Sequence, residues 1–330
     1  MKLTRTVGVG AGIALAVTVA VWLSTLTGAW HAKVGPGRPI RLINAGAPGT
    51  VTDIVARQLA ERIGAQLGQP VIVDSRPSAG GILALEALKA SPSDGHALGL
   101  VQSAQMSVAP ALFEHLPYDT VNDFAPVGIL YRGPQVLVVN AALPVSSLKE
   151  LTELAKSRPG RLRYSSTGTG TPTHIVMEQF KQLAGIDIQH IPYRGAAGHQ
   201  AVVSGEVDVM IEGAAALLPH IRSGALRPLA VSGVQRLAVL PEVPTFAELG
   251  IRGIEPVWVG VVAPRGTTPA VIDRMNREFA RAMSTPAIRD QYESLGRIVS
   301  TGTPKQMTET IAEEVPRWRR LVESSGIKPD

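Results

Sequence analysis

The sequence predicts an α/β protein of two domains, each a mainly parallel sheet flanked by helices. Short apolar runs alternate with amphipathic runs of helical period along most of the chain. Twice such a run breaks into a loop of small and hydroxyl residues that opens a helix, at Arg41–Asp53 and at Tyr164–His174. At 330 residues the chain exceeds what one hydrophobic core ordinarily serves.

Taken in order, Arg38 to Ile43 is the first predicted strand. The helix after it places Val55, Leu59, Ile63 and Leu67 at four-residue spacing, a single buried stripe. Gly68 ends that helix and Val71-Ile72-Val73 is the next strand. A helix over 82–89, a turn at Pro92 and Gly95, and a strand at Leu98-Gly99-Leu100-Val101 complete a βαβαβ unit. Val127 to Val139 reads as strand interrupted at Gly133-Pro134, and Leu148 to Lys156 as a helix stopped by Pro159-Gly160. A second βαβ unit follows: a strand over 162–165, the Gly/Thr loop, a helix through Val176, Phe180 and Leu183, and a strand over 186–191. Short strands at 207–211 and 229–231, an apolar strand at 257–263, and helices at 270–283 and 304–324 close the chain. Pro304 suits a helix start and Pro316 predicts a kink.

Residues 1–29 read separately. Lys2 and Arg5 precede the uncharged run Val7 to Leu23, and Thr27-Gly28-Ala29 supplies small residues, the layout of a secretory leader cleaved after Ala29. Trp30 disfavours cleavage after Ala32; an uncleaved anchor is the alternative, since no charge stands between Arg5 and Lys33. The mature chain is then periplasmic. With no Cys it is not a lipoprotein and folds without disulfides. The formal charge of +5 drops by two with the leader, and the remaining basic residues are scattered, which argues against nucleic acid as a partner.

The two loops carry the chemistry. Small residues let backbone N–H groups approach a ligand, and the helix opened by each loop adds unpaired donors and partial positive charge. Each is a seat for a small anion. Pro48, Gly49, Thr50, Val51 and Thr52 are the candidate contacts of the first seat, with Asp53 as a helix-start acid that satisfies backbone donors. Ser165, Thr167, Gly168, Thr169 and Gly170 form the second, where His174 caps or lines the loop. Trp258 is a candidate cleft aromatic, with a core or hinge position as the equal alternative.

No catalytic constellation accompanies the seats. Gly168-Thr169-Gly170 lacks the third glycine of a dinucleotide loop, since position 173 is Thr, and no acid ends the following strand at Ile191-Pro192-Tyr193. There is no Gly-Lys-Ser/Thr phosphate loop. Ser78 follows Arg76 where a nucleophile elbow needs Gly. The seven histidines show no His-x-x-x-His pair, so neither a metal nor a cofactor is expected. Aromatic content of 4% disfavours a stacked sugar site.

Several motifs then fall in a familiar order: Thr52-Asp53-Ile54-Val55-Ala56-Arg57, Arg76-Pro77-Ser78-Ala79-Gly80-Gly81, Leu116-Pro117-Tyr118-Asp119, Pro192-Tyr193-Arg194-Gly195 and Leu240-Pro241-Glu242-Val243-Pro244-Thr245. From Arg38 to Asp330 the chain resembles the Bug (TctC-like) family, the extracytoplasmic solute receptors of tripartite tricarboxylate transporters. The resemblance implies a two-domain periplasmic-binding-protein fold (Venus flytrap, type II-like) in which the chain crosses between domains twice. Domain 1 would comprise 38–137 plus 232–330 and domain 2 residues 138–231. It further implies a carboxylate held by the first loop, by Ser103 and Ala104 after the third strand, and by Ser165 to Gly170, with Tyr193 and Glu212 adding side-chain contacts. The chain departs from the family at Gly49-Thr50-Val51, where glycines are usual, and at Glu212, where Asp is common; Val51 is expected to narrow the seat.

The expected function is capture of a small carboxylate (a di- or tricarboxylate, an amino acid or an aromatic acid) by a monomer that delivers it to membrane permease subunits, with no enzyme activity. A ligand-sensing subunit of a membrane signalling kinase is the alternative, and a nicotinamide-dependent enzyme a more distant one.

Overall fold

The computed structural model describes residues 38–46, 48–78, 81–193, 197–325 and 327, and the Val51 side chain falls outside this set. The predicted leader 1–29, and Arg194 and Gly195 of one motif, lie outside the described residues.

Eleven strands form two sheets among the described residues. The chain begins in the first with β1 (Ile40–Asn44), β2 (Val71–Ser75), β3 (Ala97–Gln102) and β4 (Phe124–Gly133). It passes to the second with β5 (Gln135–Asn140), β6 (Arg163–Ser166), β7 (Gln189–Pro192), β8 (Val209–Gly213) and β9 (Leu226–Val231), then returns with β10 (Val257–Pro264) and β11 (Ile298–Val299). The six-stranded order is β11-β4-β10-β3-β1-β2 and the five-stranded order β7-β6-β8-β5-β9.

Both sheets are mixed. The parallel pairs are those of the two βαβ units, β2-β1-β3 and β7-β6-β8. The strands entering and leaving the crossings, β4, β10, β5 and β9, pair antiparallel with their neighbours. The physical cause is the crossing itself: β4 runs out of one sheet as β5 runs into the other, separated only by Pro134, which has no N–H to continue a ladder. The return is tied to this point, since Ser232 N–H donates to Gln135 O at 2.8 Å and Gln135 N–H donates to Ser232 Oγ at 2.8 Å.

Side chains alternate faces along each strand, so each sheet buries two layers. Leu42 and Val261 point to one face of the first sheet, under α1 (Val51–Leu67), and Ile43 and Val262 to the other, under α2 (Ile82–Lys89). After β3 a π-helical turn (Ala104–Val108) runs into the short α3 (Ala109–Leu112). In the second sheet α4 (Leu148–Ser157) and α5 (Pro172–Ala184) cover one face, and α6 (Ala197–Ser204) and α7 (Ala214–Arg222) the other. The chain ends with α8 (Pro269–Met283), α9 (Pro286–Ser294) and α10 (Pro304–Ser325).

The last helix is assigned continuously from Pro304 to Ser325 with Pro316 inside it, where the missing N–H cannot pair with the Ala312 carbonyl. It spans both layers: Met307 and Ile311 sit in the core of the first sheet, Trp318 and Leu321 in that of the second. Of the residues named for α5, Val176 and Phe180 are buried together with Ile175 and Met177, while Leu183 is 48% exposed.

Candidate functional site

Strand polarity places the site. β3 runs parallel to β4 because both are antiparallel to β10, so the carboxyl ends of β1, β3 and β4 share the edge at Gly133. β8 is antiparallel to β5 and parallel to β6, so β6 and β8 also end on the side of the crossing. The carboxyl ends of both parallel sets thus face the same crossing, the position where open α/β sheets bind ligands. A cavity of about 610 Å³ opens there between the sheets, with Ile54, Val55 and Gln58 of α1 on one wall and Glu212 to Ala216 on the other.

The first predicted loop, at the end of β1, is held from behind. Asp53 is 2% exposed, and its carboxylate accepts the Gly49 N–H at 3.0 Å, the Ser75 hydroxyl at 2.9 Å and the Arg57 guanidinium at 2.9 and 3.1 Å. The Arg57 bond, then the Gly49 N–H, hold this carboxyl down at about 2. Asp53 therefore braces the loop, and its oxygens are committed to the scaffold. Gly49 sits at φ 83°, a left-handed turn that L side chains rarely adopt. Pro48, Gly49 and Thr50 are exposed, and the Thr50 and Thr52 hydroxyls lie 3.3 Å apart at the entry to α1. Val51 begins α1; the narrowing expected from it concerns a side chain outside the described residues.

The second loop, at the end of β6, is braced by its own residues. Ser165 is fully buried and donates to the Gly198 carbonyl at 3.0 Å, so it does not face the cavity. Thr167 N–H donates to Thr173 Oγ1 at 2.9 Å, and Thr171 Oγ1 donates to Gly168 O at 2.6 Å. His174, 5% exposed, accepts the Gly170 N–H on Nδ1 at 3.0 Å and supports the loop from beneath. Its ring stacks on His190 at 3.9 Å, and His190 Nε2 lies 2.7 Å from Ser166 Oγ. Gly170 takes φ 73°, and a Cβ there would come within 3.4 Å of Leu112 in α3, so this loop of the second sheet closes on a helix of the first. Thr169, at the tip, is partly exposed.

The remaining candidates divide. Glu212 lines the cavity; one oxygen accepts the Gly213 N–H at 2.8 Å and the other lies 3.5 Å from His199 Nε2. Tyr193 has its backbone carbonyl near Gly168, but its hydroxyl donates outward to Glu206 at 2.8 Å. Ser103 accepts the Trp258 N–H at 3.3 Å and is nearly buried, while Ala104 beside it is partly exposed. Trp258 itself is fully buried and donates from Nε1 to Glu314 at 3.0 Å, which makes it a core residue and corrects the cleft position. The cavity also recruits Ile54, Pro134, Tyr292 and Arg297, none of which was among the candidate contacts. Ile54 carries the one signal that could have found it, an apolar residue placed off the buried stripe of α1 and 48% exposed.

A sequence profile described as the tripartite tricarboxylate transporter family receptor (TctC) matches residues 55–327. Protein BugT of Bordetella pertussis is 38% identical over 298 residues, covering 89% of this chain and 91% of its own. Among solved structures, R. palustris Rpa4515 with adipate superposes with a TM-score of 0.76 at 30% identity, over 89% of this chain and 99% of that one. The periplasmic binding protein BugD superposes with a TM-score of 0.73 at 28% identity, over 90% of this chain and 100% of that one. The fold is the two-domain α/β fold of periplasmic binding proteins, and the chain belongs to the TctC family of tripartite tricarboxylate transporter receptors.

Proposed function

We propose that this protein captures a small carboxylate between its two lobes and presents it to the permease subunits of a tripartite tricarboxylate transporter, after export directed by residues 1–29. The observation that carries the reading is the shared edge: two helix-opening loops follow strands of different sheets whose carboxyl ends face one crossing, where a cavity lies between α1 of the first sheet and the Glu212–Ala216 segment that ends β8 of the second. The backbone at Val51 and Thr52, the Thr50 and Thr52 hydroxyls, and Thr169 at the tip of the second loop are the proposed carboxylate contacts, since the Gly49, Gly168 and Gly170 N–H groups are already paired with Asp53, Ser166 and His174. The buried Asp53, Ser165 and His174 position them. The expected lobes, 38–137 with 232–330 and 138–231, would close about Pro134 and Ser232 with Gln135–Leu137 of β5 moving with the second sheet, because a ligand touching both favours the closed state by its differential contacts. A neighbour solved with adipate supports a carboxylate as the ligand class.

The test is isothermal titration of protein unfolded and refolded to strip carried-over solute, against mono-, di- and tricarboxylates and neutral sugars. Binding to at least one carboxylate with Kd in the micromolar range or tighter, and none to sugars, is expected. Heat from sugars alone would overturn the reading.

A further inference from the structure

We propose that α10 is a third link between the two lobes and that it bends at Pro316, so that the last turns of the helix travel with the second lobe when the protein closes. This rests on the closure reading above, and it moves the residues beyond Pro316 out of the first lobe, where the expected boundaries place them.

The helix is anchored in both sheets. Before Pro316, Met307 and Ile311 lie in the core of the first sheet with Ile43 and Val262, and the buried Glu314 accepts the Nε1–H of Trp258 in β10 at 3.0 Å. After it, Trp318, Leu321 and Val322 lie in the core of the second sheet with Leu137 and Phe180, and Gln182 in the last turn of α5 donates to Ser324 at 3.3 Å. Glu314 and Trp318 stand two residues to either side of Pro316.

A helix of 22 residues is a rod about 33 Å long, and a rod fixed in two bodies holds them still unless it yields. Pro316 is where it can yield. It has no N–H for the Ala312 carbonyl and its ring crowds that carbonyl, the usual cause of a sharp bend in a helix. Its side chain is exposed, so no core packing fixes the turn. In the next two residues, Arg317 Nε and Trp318 Nε1 are buried with no hydrogen-bond partner among the described residues. Buried donors are nearly always paired, and a bend at Pro316 re-aims both. The side-chain pair that spans the point, Arg317 with Glu314, is loose at 3.7 Å.

The chain has no Cys, so introduced cysteines carry spin labels at chosen sites alone. Distances are read by double electron–electron resonance without acid and with saturating adipate, or with the panel acid that binds most tightly where adipate gives no heat. Three exposed positions serve: Glu61 on α1, Lys149 on α4 and Glu323 near the end of α10. The pair Glu61→Cys with Lys149→Cys reports closure. Glu323→Cys with Lys149→Cys is expected to keep its distance, and Glu323→Cys with Glu61→Cys to shift with the closure pair. Pro316→Ala restores the missing bond and is expected to cut the closure shift to about half or less, with circular dichroism melts confirming the fold. A fixed Glu323–Glu61 distance while the closure pair shifts, or an undiminished shift in Pro316→Ala, overturns the proposal and leaves closure intact. No shift in the closure pair with acid bound, or no binding by any panel acid, overturns the closure reading and this proposal together.

Discussion

The imidazole of His174 stacks on that of His190 at 3.9 Å, while its Nδ1 accepts the Gly170 N–H at 3.0 Å. One ring thus joins the core of the second sheet to the tip of the loop. His174→Phe keeps the stack and removes the acceptor, freeing the Gly170 N–H to water and the loop to other conformers. A loss of about 1 kcal/mol, or roughly fivefold in carboxylate affinity, is expected by titration. Unchanged affinity would show that the loop holds its shape without this bond.

Asp53 makes the first loop acid-sensitive. Its carboxyl is held near 2, below its ordinary 3.8, by Arg57 and the Gly49 N–H. A depressed carboxylate contributes stability that is complete above the unfolded value and is lost as pH falls toward the folded one. Asp53→Asn is expected to lower the unfolding midpoint at neutral pH and to flatten the dependence of stability on pH between about 4 and 2. Urea unfolding across that window measures it; an unchanged slope would place the acid transition elsewhere.

The elements that position the site were legible where local signals agree with the fold. β1, α1 and the β6–α5 unit each join a short apolar run, a turn-rich loop and a helical stripe, and each stands in the structure. α7 escaped because Pro219 lies inside it and its Ala214-Ala215-Ala216 opening shows no amphipathic contrast. The mixed pairing escaped because strand direction at a crossing is set by a partner far away in sequence, as between Gln135 and Gly213. The site divides in the same way. The loops themselves were legible from composition, but the internal bonding of their residues was not: Asp53, Ser165 and His174 are buried and hydrogen-bonded within the scaffold, which no local pattern separates from an exposed candidate contact. Arg297 stands between Gly296 and the two-residue strand β11, too short to show a period, and its place over Tyr131 is purely tertiary.

The crossing between the sheets carries its own prediction. Ser232 Oγ accepts the buried Gln135 N–H where the two crossings meet. Ser232→Ala strands that N–H and is expected to cost about 1–3 kcal/mol of stability in urea unfolding. A change below about 0.5 kcal/mol would mean that water takes the place of the hydroxyl.

Trp258 and Glu314 offer a test of the core reading. Burial raises the Glu314 carboxyl above its ordinary 4.5, against the opposing Trp258 Nε1–H bond at 3.0 Å. A raised carboxyl binds its proton more tightly in the native state, so stability declines as pH rises from 4.5 to the native value and is constant beyond it. Glu314→Gln keeps an acceptor for the indole and removes the titration, so the decline should vanish and stability at neutral pH should hold or rise. Trp258→Phe does the reverse: it removes the indole donor, leaves a buried carboxylate with Ser107, Arg317 at 3.7 Å and the more distant Arg132 to stabilise its charge, and should cost about 1–3 kcal/mol at neutral pH. In Trp258→Phe that cost should shrink on acidification, as the stranded group protonates. If it does not, the carboxylate is solvated and Trp258 lies nearer the cleft than its burial indicates.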